Sequence, residues 1–311
     1  MAAGPRAVAA ELRPPAAATA AIIAEIRATT AIAAPLAAAN LAQMAMGVTN
    51  MAMVGHLGGK ALAAAGLGAG LYFTTVVLAQ GVLSAVAPLS AFAMGAGDRH
   101  AAARIAGKGL VLAALMSVPA IALLLSAPRL LSTIGYDPPL AGEIGGYIGA
   151  VVWGTPGALG FAVLRSFLAA VARTRPVMAV LLLCVPLNAG LNVVLIWGHL
   201  GLPALGMRGA GCATSINQWL MFLGLAGYLS LTPGLASFRV VASAFVRRAG
   251  EIGQILRLGL PIGAIVGLEI GVFVTTGVLM GLFGADALGA HQLVLNCAGL
   301  TFMVPLGIGM P

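Results

Sequence analysis

The sequence predicts an all-α, polytopic membrane protein, and three observations carry that expectation. Of its 311 residues, 60% are hydrophobic and 8% charged, with a mean hydropathy of +1.05; soluble domains carry charge on about a quarter of their residues. The apolar residues fall into eight long runs, roughly 28–54, 62–92, 105–126, 144–171, 177–197, 209–231, 253–283 and 287–310. A run of about 20 apolar residues is what a helix needs to cross ~30 Å of hydrocarbon. Ala and Gly are abundant and aromatic residues few, which suits helices packed backbone to backbone in lipid. A transmembrane barrel would show short alternating segments instead.

A net charge of +8 raises the question of nucleic-acid binding, and the positions of the basic residues answer it. With the spans assigned to alternate sides, one side holds thirteen basic residues, among them Arg99, Arg104, Lys108, Arg165, Arg173, Arg175 and Arg257. The other holds Lys60, Arg129 and Arg208. That bias places the N-terminus in the cytoplasm, and the chain is expected to be a multi-pass protein of the cell inner (plasma) membrane. The charge is a topology signal in contact with lipid headgroups, and nucleic acid is not an expected partner. Cys184, Cys212 and Cys297 fall inside spans with no CxxC spacing and are read as packing residues. His56, His100, His199 and His291 are too scattered for a metal cluster.

In chain order, residues 1–24 are Ala-, Pro- and Arg-rich and are expected to form a disordered cytoplasmic tail. The first span places Asn40, Gln43, Gly47 and Asn50 within about 80° of one another on a helix. That polar stripe is either a hydrogen-bonded helix contact or a cavity wall. Met44, Met46, Met51 and Met53 on the same span either line an adaptable cavity or pack. MGAGDRHAAAR, between the second and third spans, has glycines but no preceding strand and no GKS or GKT, so a nucleotide loop is not supported. The fifth span sets Asn188 and Asn192 four apart on one face. Pro35, Pro88, Pro119, Pro156, Pro186, Pro261 and Pro305 lie in or beside spans, where kinks are tolerated only if other groups satisfy the freed carbonyls.

The seventh span carries Glu269 near its middle, and from Leu258 to Phe283 it has no other charge. An acid at that depth costs roughly 2.5–3.5 kcal/mol on insertion scales. Either it faces a wet cavity, where its charge serves a proton, a metal ion such as Na+ or a cationic substrate, or it is protonated and hydrogen-bonded to a neighbouring helix.

Sliding the chain by 226 residues aligns Glu25 with Glu251, Pro35 with Pro261 and Gln43 with Glu269. The two copies lie six spans apart, so they enter the membrane in the same direction, as a parallel repeat. The expected organisation is a tail (1–24), a six-helix lobe (25–235), a cytoplasmic linker (236–250) and the first two helices of a second lobe (251–311). The repeat arithmetic thus gives eight membrane helices of an inferred twelve, with the second lobe incomplete.

Several motifs resemble one family in the right order. APLAAANLAQMAMGVTNMAMVGHLGGKALAAAGLG is similar to the first helix and following turn of the multidrug and toxic compound extrusion (MATE) family, and APLSAFAMGAGDRHAAAR to its second junction. PLNAGLNVVLIWGHLGLPALGMRGAGCATS resembles its helix 5 to 6 signature. LRLGLPIGAIVGLEIGVFVTTGVLMGLFG with AHQLVLNCAGLTFMVPLGIGM resembles its helices 7 and 8, and the glutamate in the former points to the NorM-type branch.

The resemblance implies two six-helix lobes around a central cavity and export of small organic cations in antiport with Na+ or H+. It implies no other cofactor, and the chain is expected to work as a monomer. It would make Glu269 a cation-site carboxylate. The family commonly has an aspartate in D-T-x-M-V-G where this chain has Asn50, an amide that can offer an oxygen to sodium but takes up no proton near neutral pH. Coupling through Glu269 is therefore favoured. Two rivals are a lipid-linked precursor flippase, which needs a basic cavity, and a membrane-embedded enzyme, which needs clustered acids or histidines.

Overall fold

The computed structural model describes residues 16–133, 138–199, 201–236, 238, 240–243 and 250–282, together with Val294, Ala298 and Thr301. The helices are α1 (Ala16–Gly55), α2 (Gly59–Leu83), α3 (Val86–Gly95), α4 (Arg99–Thr133), α5 (Pro138–Val151) and α6 (Thr155–Ala170). They continue as α7 (Arg175–Trp197), α8 (Met207–Leu231), the short α9 (Pro233–Ala236) and α10 (Val240–Ser243), and α11 (Gly250–Leu282). Among the described residues there is no strand. Among the described residues, five segments are long and apolar enough to cross a bilayer: Ala64–Gly95, Arg99–Thr133, Ala141–Ala170, Arg175–Trp197 and Gly250–Val272.

Local sequence explains where these helices begin, end and break. The second span divides at Ser84–Ala85, just before Pro88, whose ring clashes with the carbonyl four residues back. Ser84 Oγ turns back to the Gly81 carbonyl at 2.7 Å. The fourth span divides at a 3-10 turn, Val152–Gly154, with Pro156 opening the helix that follows. α7 opens on Pro176 and closes at Gly198, which adopts φ 76, the left-handed conformation glycine tolerates best.

One sequence expectation needs correction. α1 begins at Ala16, inside the stretch read as a disordered tail; the Ala-rich segment from Ala16 to Ala24 has strong helix propensity that the two preceding prolines do not cancel. Lys108, near the start of the third expected span, is buried within α4. The eighth expected span, 287–310, lies outside the described residues apart from Val294, Ala298 and Thr301.

α1 runs along α7, α7 lies beside α8, and α8 also packs on α5 and α6. α4 fills the other side against α3, α5 and α6, while α11 lies along α2 and reaches α4. The centre is apolar, built on Leu83, Leu124, Ile144, Leu159, Leu164 and Phe167. Large apolar side chains also point outward, including Phe92, Leu115, Val118, Leu183 and Leu268, as a lipid-facing surface requires and a soluble one rarely shows. Contacts of the α8–α11 connection with α4 and α6 bring the start of α4, the end of α6 and the start of α11 to one end. That end carries Arg99, Arg104, Lys108 and Arg257, and is called here the basic end.

Candidate functional site

The i,i+4 spacing of Asn188 and Asn192 on α7 sets both amides on one face, and Asn192 reaches α1. Asn192 is fully buried, and its Nδ2 donates to Asn50 Oδ1 at 2.6 Å, to the Asn188 carbonyl at 2.8 Å and to Asn188 Oδ1 at 3.3 Å. Asn50 Nδ2 in turn donates to Thr214 Oγ1 at 3.3 Å, and Thr214 donates to the Ala210 carbonyl at 3.0 Å. Three helices are thus joined by a wholly uncharged network of amides and one hydroxyl. Asn192 Oδ1 is buried and makes no hydrogen bond. A buried amide oxygen without a donor is a rare and costly feature, and it makes this cluster a place where a dehydrated cation would be met by oxygen rather than by charge.

The α1 stripe read from the sequence separates into two parts. Asn40 is buried, and its Oδ1 accepts from Arg165 Nη2 of α6 at 2.8 Å, leaving Asn40 Nδ2 unpaired. Asn50 joins the cluster with α7 and α8. Between them, a Cβ built on Gly47 would meet nothing within 4 Å, so the middle of the stripe borders open space. Gln43 is half-buried and makes no side-chain hydrogen bond to the cluster among the described residues. Met46 is buried, with its Sδ accepting from Asn217 Nδ2 at 3.0 Å, so it packs inside the lobe rather than lining a cavity. Met51 is exposed and Met44 and Met53 are half-buried.

Glu269 is exposed on α11 and forms no ion pair among the described residues. It lies roughly 120° round the helix from Gly263, the middle of the face that packs on α2. It also lies roughly 27 Å along the helix from Glu251 at the basic end, within the apolar segment Gly250–Val272. Glu269 and the asparagine cluster are not brought together, because α11 packs along α2 and α4. Among the described residues, no three His, Cys, Asp or Glu side chains lie together as metal ligands would.

Sequence reasoning missed Thr214, Asn217 and the partner of Arg165. Thr214 and Asn217 sit three apart on the sixth span, the same one-face spacing that singled out Asn188 and Asn192, and could have been found by it. The Arg165–Asn40 pairing joins residues 125 positions apart and leaves no local signature.

The MatE family model matches residues 35–194, the half of the chain that carries Asn40, Asn50, Asn188 and Asn192. The chain belongs to the MatE family. The "Probable multidrug resistance protein NorM" of Burkholderia mallei is 41% identical to this MatE chain over 274 residues, covering 88% of the chain and 58% of the relative. The "Multidrug resistance protein NorM" of Vibrio cholerae is 32% identical over 271 residues, covering 87% and 59% respectively. The chain therefore spans less than two thirds of the length of these curated relatives.

The fold is shared with solved structures. A crystal structure of the eukaryotic MATE transporter AtDTX14 superposes with a TM-score of 0.82 at 22% identity, covering 93% of this chain and 64% of that one. A MOP superfamily transporter from Pyrococcus furiosus, described as having a binding pocket of reverse polarity, gives 0.78 at 20% identity, covering 91% and 62%.

Proposed function

We propose that this MatE protein is a secondary active exporter of small organic cations, driven by antiport of Na+ or H+. In this reading it lies in the cell inner membrane as a monomer, with its basic end in the cytoplasm. The observation that carries the proposal is Glu269: a carboxylate at membrane depth, turned away from the α2 contact and held by no basic partner among the described residues. The two NorM relatives bear the name multidrug resistance protein, which agrees with it.

The chemistry follows from one negative charge with two claimants. A coupling ion and a cationic substrate neutralise the same carboxylate in turn, and exchange is driven only if each binds one state of the protein better than the other. The amides of Asn50, Asn188 and Asn192 take up no proton near neutral pH, so protonation of these side chains cannot switch the cluster. Its contribution is the oxygens of Asn50 and Asn192, which suit a sodium ion.

The flippase alternative needs basic charge directed into a cavity, whereas Arg165 is turned onto Asn40. Efflux of ethidium by the complete protein, measured with sodium removed and with the pH gradient collapsed separately, tests the exporter reading. Loss of efflux in one condition or both supports it, and efflux indifferent to both gradients excludes it.

A further inference from the structure

At the basic end, an ion pair joins the first helix of the chain's second part to its first part. Arg104 Nε donates to Glu251 Oε1 across 3.1 Å, linking α4 to the first turn of α11. One residue before Arg104, the Ala103 carbonyl accepts from Ser243 Oγ at 2.7 Å. Phe238 packs edge-to-face on Phe167 of α6, with ring centroids 5.5 Å apart, and the Arg99 guanidinium stands 6.0 Å from the Phe238 ring. Leu235, Phe238 and Val240 are all buried. The described residues of the connection from α8 to α11 are therefore fastened to the ends of α4 and α6.

These fastenings differ in kind. The Phe238 and Ser243 contacts hold the connection to the first part of the chain through apolar burial and a short hydrogen bond. The ion pair holds α11 itself. The Arg104 and Glu251 side chains are 26% and 14% exposed, so water already reaches the pair. Glu251 Oε2 is buried with no hydrogen-bond partner, which favours any arrangement that lets it reach water. Beyond the pair, Gly259, Gly263 and Gly267 lie against Val82 and Leu78 of α2, while a Cβ on Gly271 would meet nothing within 4 Å. Among the described glycines of α11, the contact with α2 reaches Gly267, two positions before Glu269.

We propose that Arg104 and Glu251 form a latch whose closure presses α11 against α2 at the basic end, and whose release lets that end part during the transport cycle. Only the second clause rests on the exporter reading. Fastening α11 at its first turn leaves the Glu269 level free while the basic end is sealed. Opening the pair would allow the glycine contact to separate and expose the path from the basic end to Glu269.

The test uses the complete protein with its native cysteines replaced by alanine and with Gly81→Cys and Val266→Cys introduced. A Cβ at Gly81 stands 3.4 Å from the Val266 Cβ, close to disulfide separation. Oxidation should join the pair, Glu251→Gln should slow joining roughly threefold, and the swap of Arg104→Glu with Glu251→Arg should restore the rate to within about twofold. Leu78→Cys with Gly267→Cys repeats the measurement should the first pair disturb folding. Equal rates with the ion pair present, removed and swapped overturn the latch, as does failure of both pairs to join in the unaltered background. Joined protein should lose ethidium efflux and regain it on reduction, and unchanged efflux overturns the need for release. A complete protein that exports nothing before joining counts against the exporter reading alone, because the joining rates still decide the latch.

Discussion

Asn192 donates its side-chain amide to Asn50 Oδ1 across 2.6 Å, tying α7 to α1 through two neutral groups. In a setting where a carboxylate at the same position would gain or lose a proton, this pair holds one protonation state at every physiological pH. Asn50→Asp keeps an acceptor for Asn192 and adds a titratable group. Efflux by the variant should become more dependent on pH than that of the unaltered protein, measured as ethidium export in vesicles across pH 6 to 8. A profile identical to the unaltered protein would show that this position does not take part in coupling.

Removing the donor should destabilise the lobe. Asn192→Ala leaves the oxygens of Asn50 and Asn188 without their partner inside a buried network, at a cost of roughly 1–3 kcal/mol. In detergent the variant should melt lower than the unaltered protein. Gln43→Ala should shift melting far less, because Gln43 has no hydrogen bond to the network among the described residues.

Two glycines of α11 give opposite expectations. A Cβ at Gly259 would drive into the Val82 carbonyl oxygen, whereas one at Gly271 would meet nothing within 4 Å. Gly259→Ala therefore forces α11 away from α2 at an overpacking cost of roughly 1–3 kcal/mol. Gly271→Ala should be neutral or slightly stabilising, since alanine is the better helix former. Melting temperature of the two purified variants separates them.

Ala172 holds φ 54 in the turn between α6 and α7, a left-handed conformation that costs an L-residue about 1–2 kcal/mol. Glycine relieves that strain, offset in part by its freer unfolded state at about 0.4–1 kcal/mol. Ala172→Gly should raise melting by roughly 1–3 °C, and a fall would show that the turn is not strained.

How much of this was legible follows from the range over which each feature is encoded. Spans were readable because a helix long enough for a bilayer writes itself as one apolar run, as 177–197 does for α7 (Arg175–Trp197). Breaks were not. The divisions at Ser84–Ala85 and Val152–Gly154 interrupt unbroken apolarity, and only Pro88 and Pro156 hint at them. Asn188 and Asn192 were legible as a pair because they are four apart on one helix. Their union with Asn50 and Thr214 depends on how α1, α7 and α8 pack, which no local pattern records. Gln43 illustrates the converse: it shares the stripe of Asn40 and Asn50 in sequence, yet the packed helices leave it outside the network.

The account depends on Glu269 as the charge that the coupling ion and the exported cation share. Glu269→Gln in the complete protein, at matched expression and with ethidium efflux followed under a sodium or proton gradient, tests this most directly. The account predicts loss of gradient-driven efflux with folding intact, and retention of activity by Glu269→Asp above that of the amide. Efflux by Glu269→Gln at the rate of the unaltered protein would contradict it.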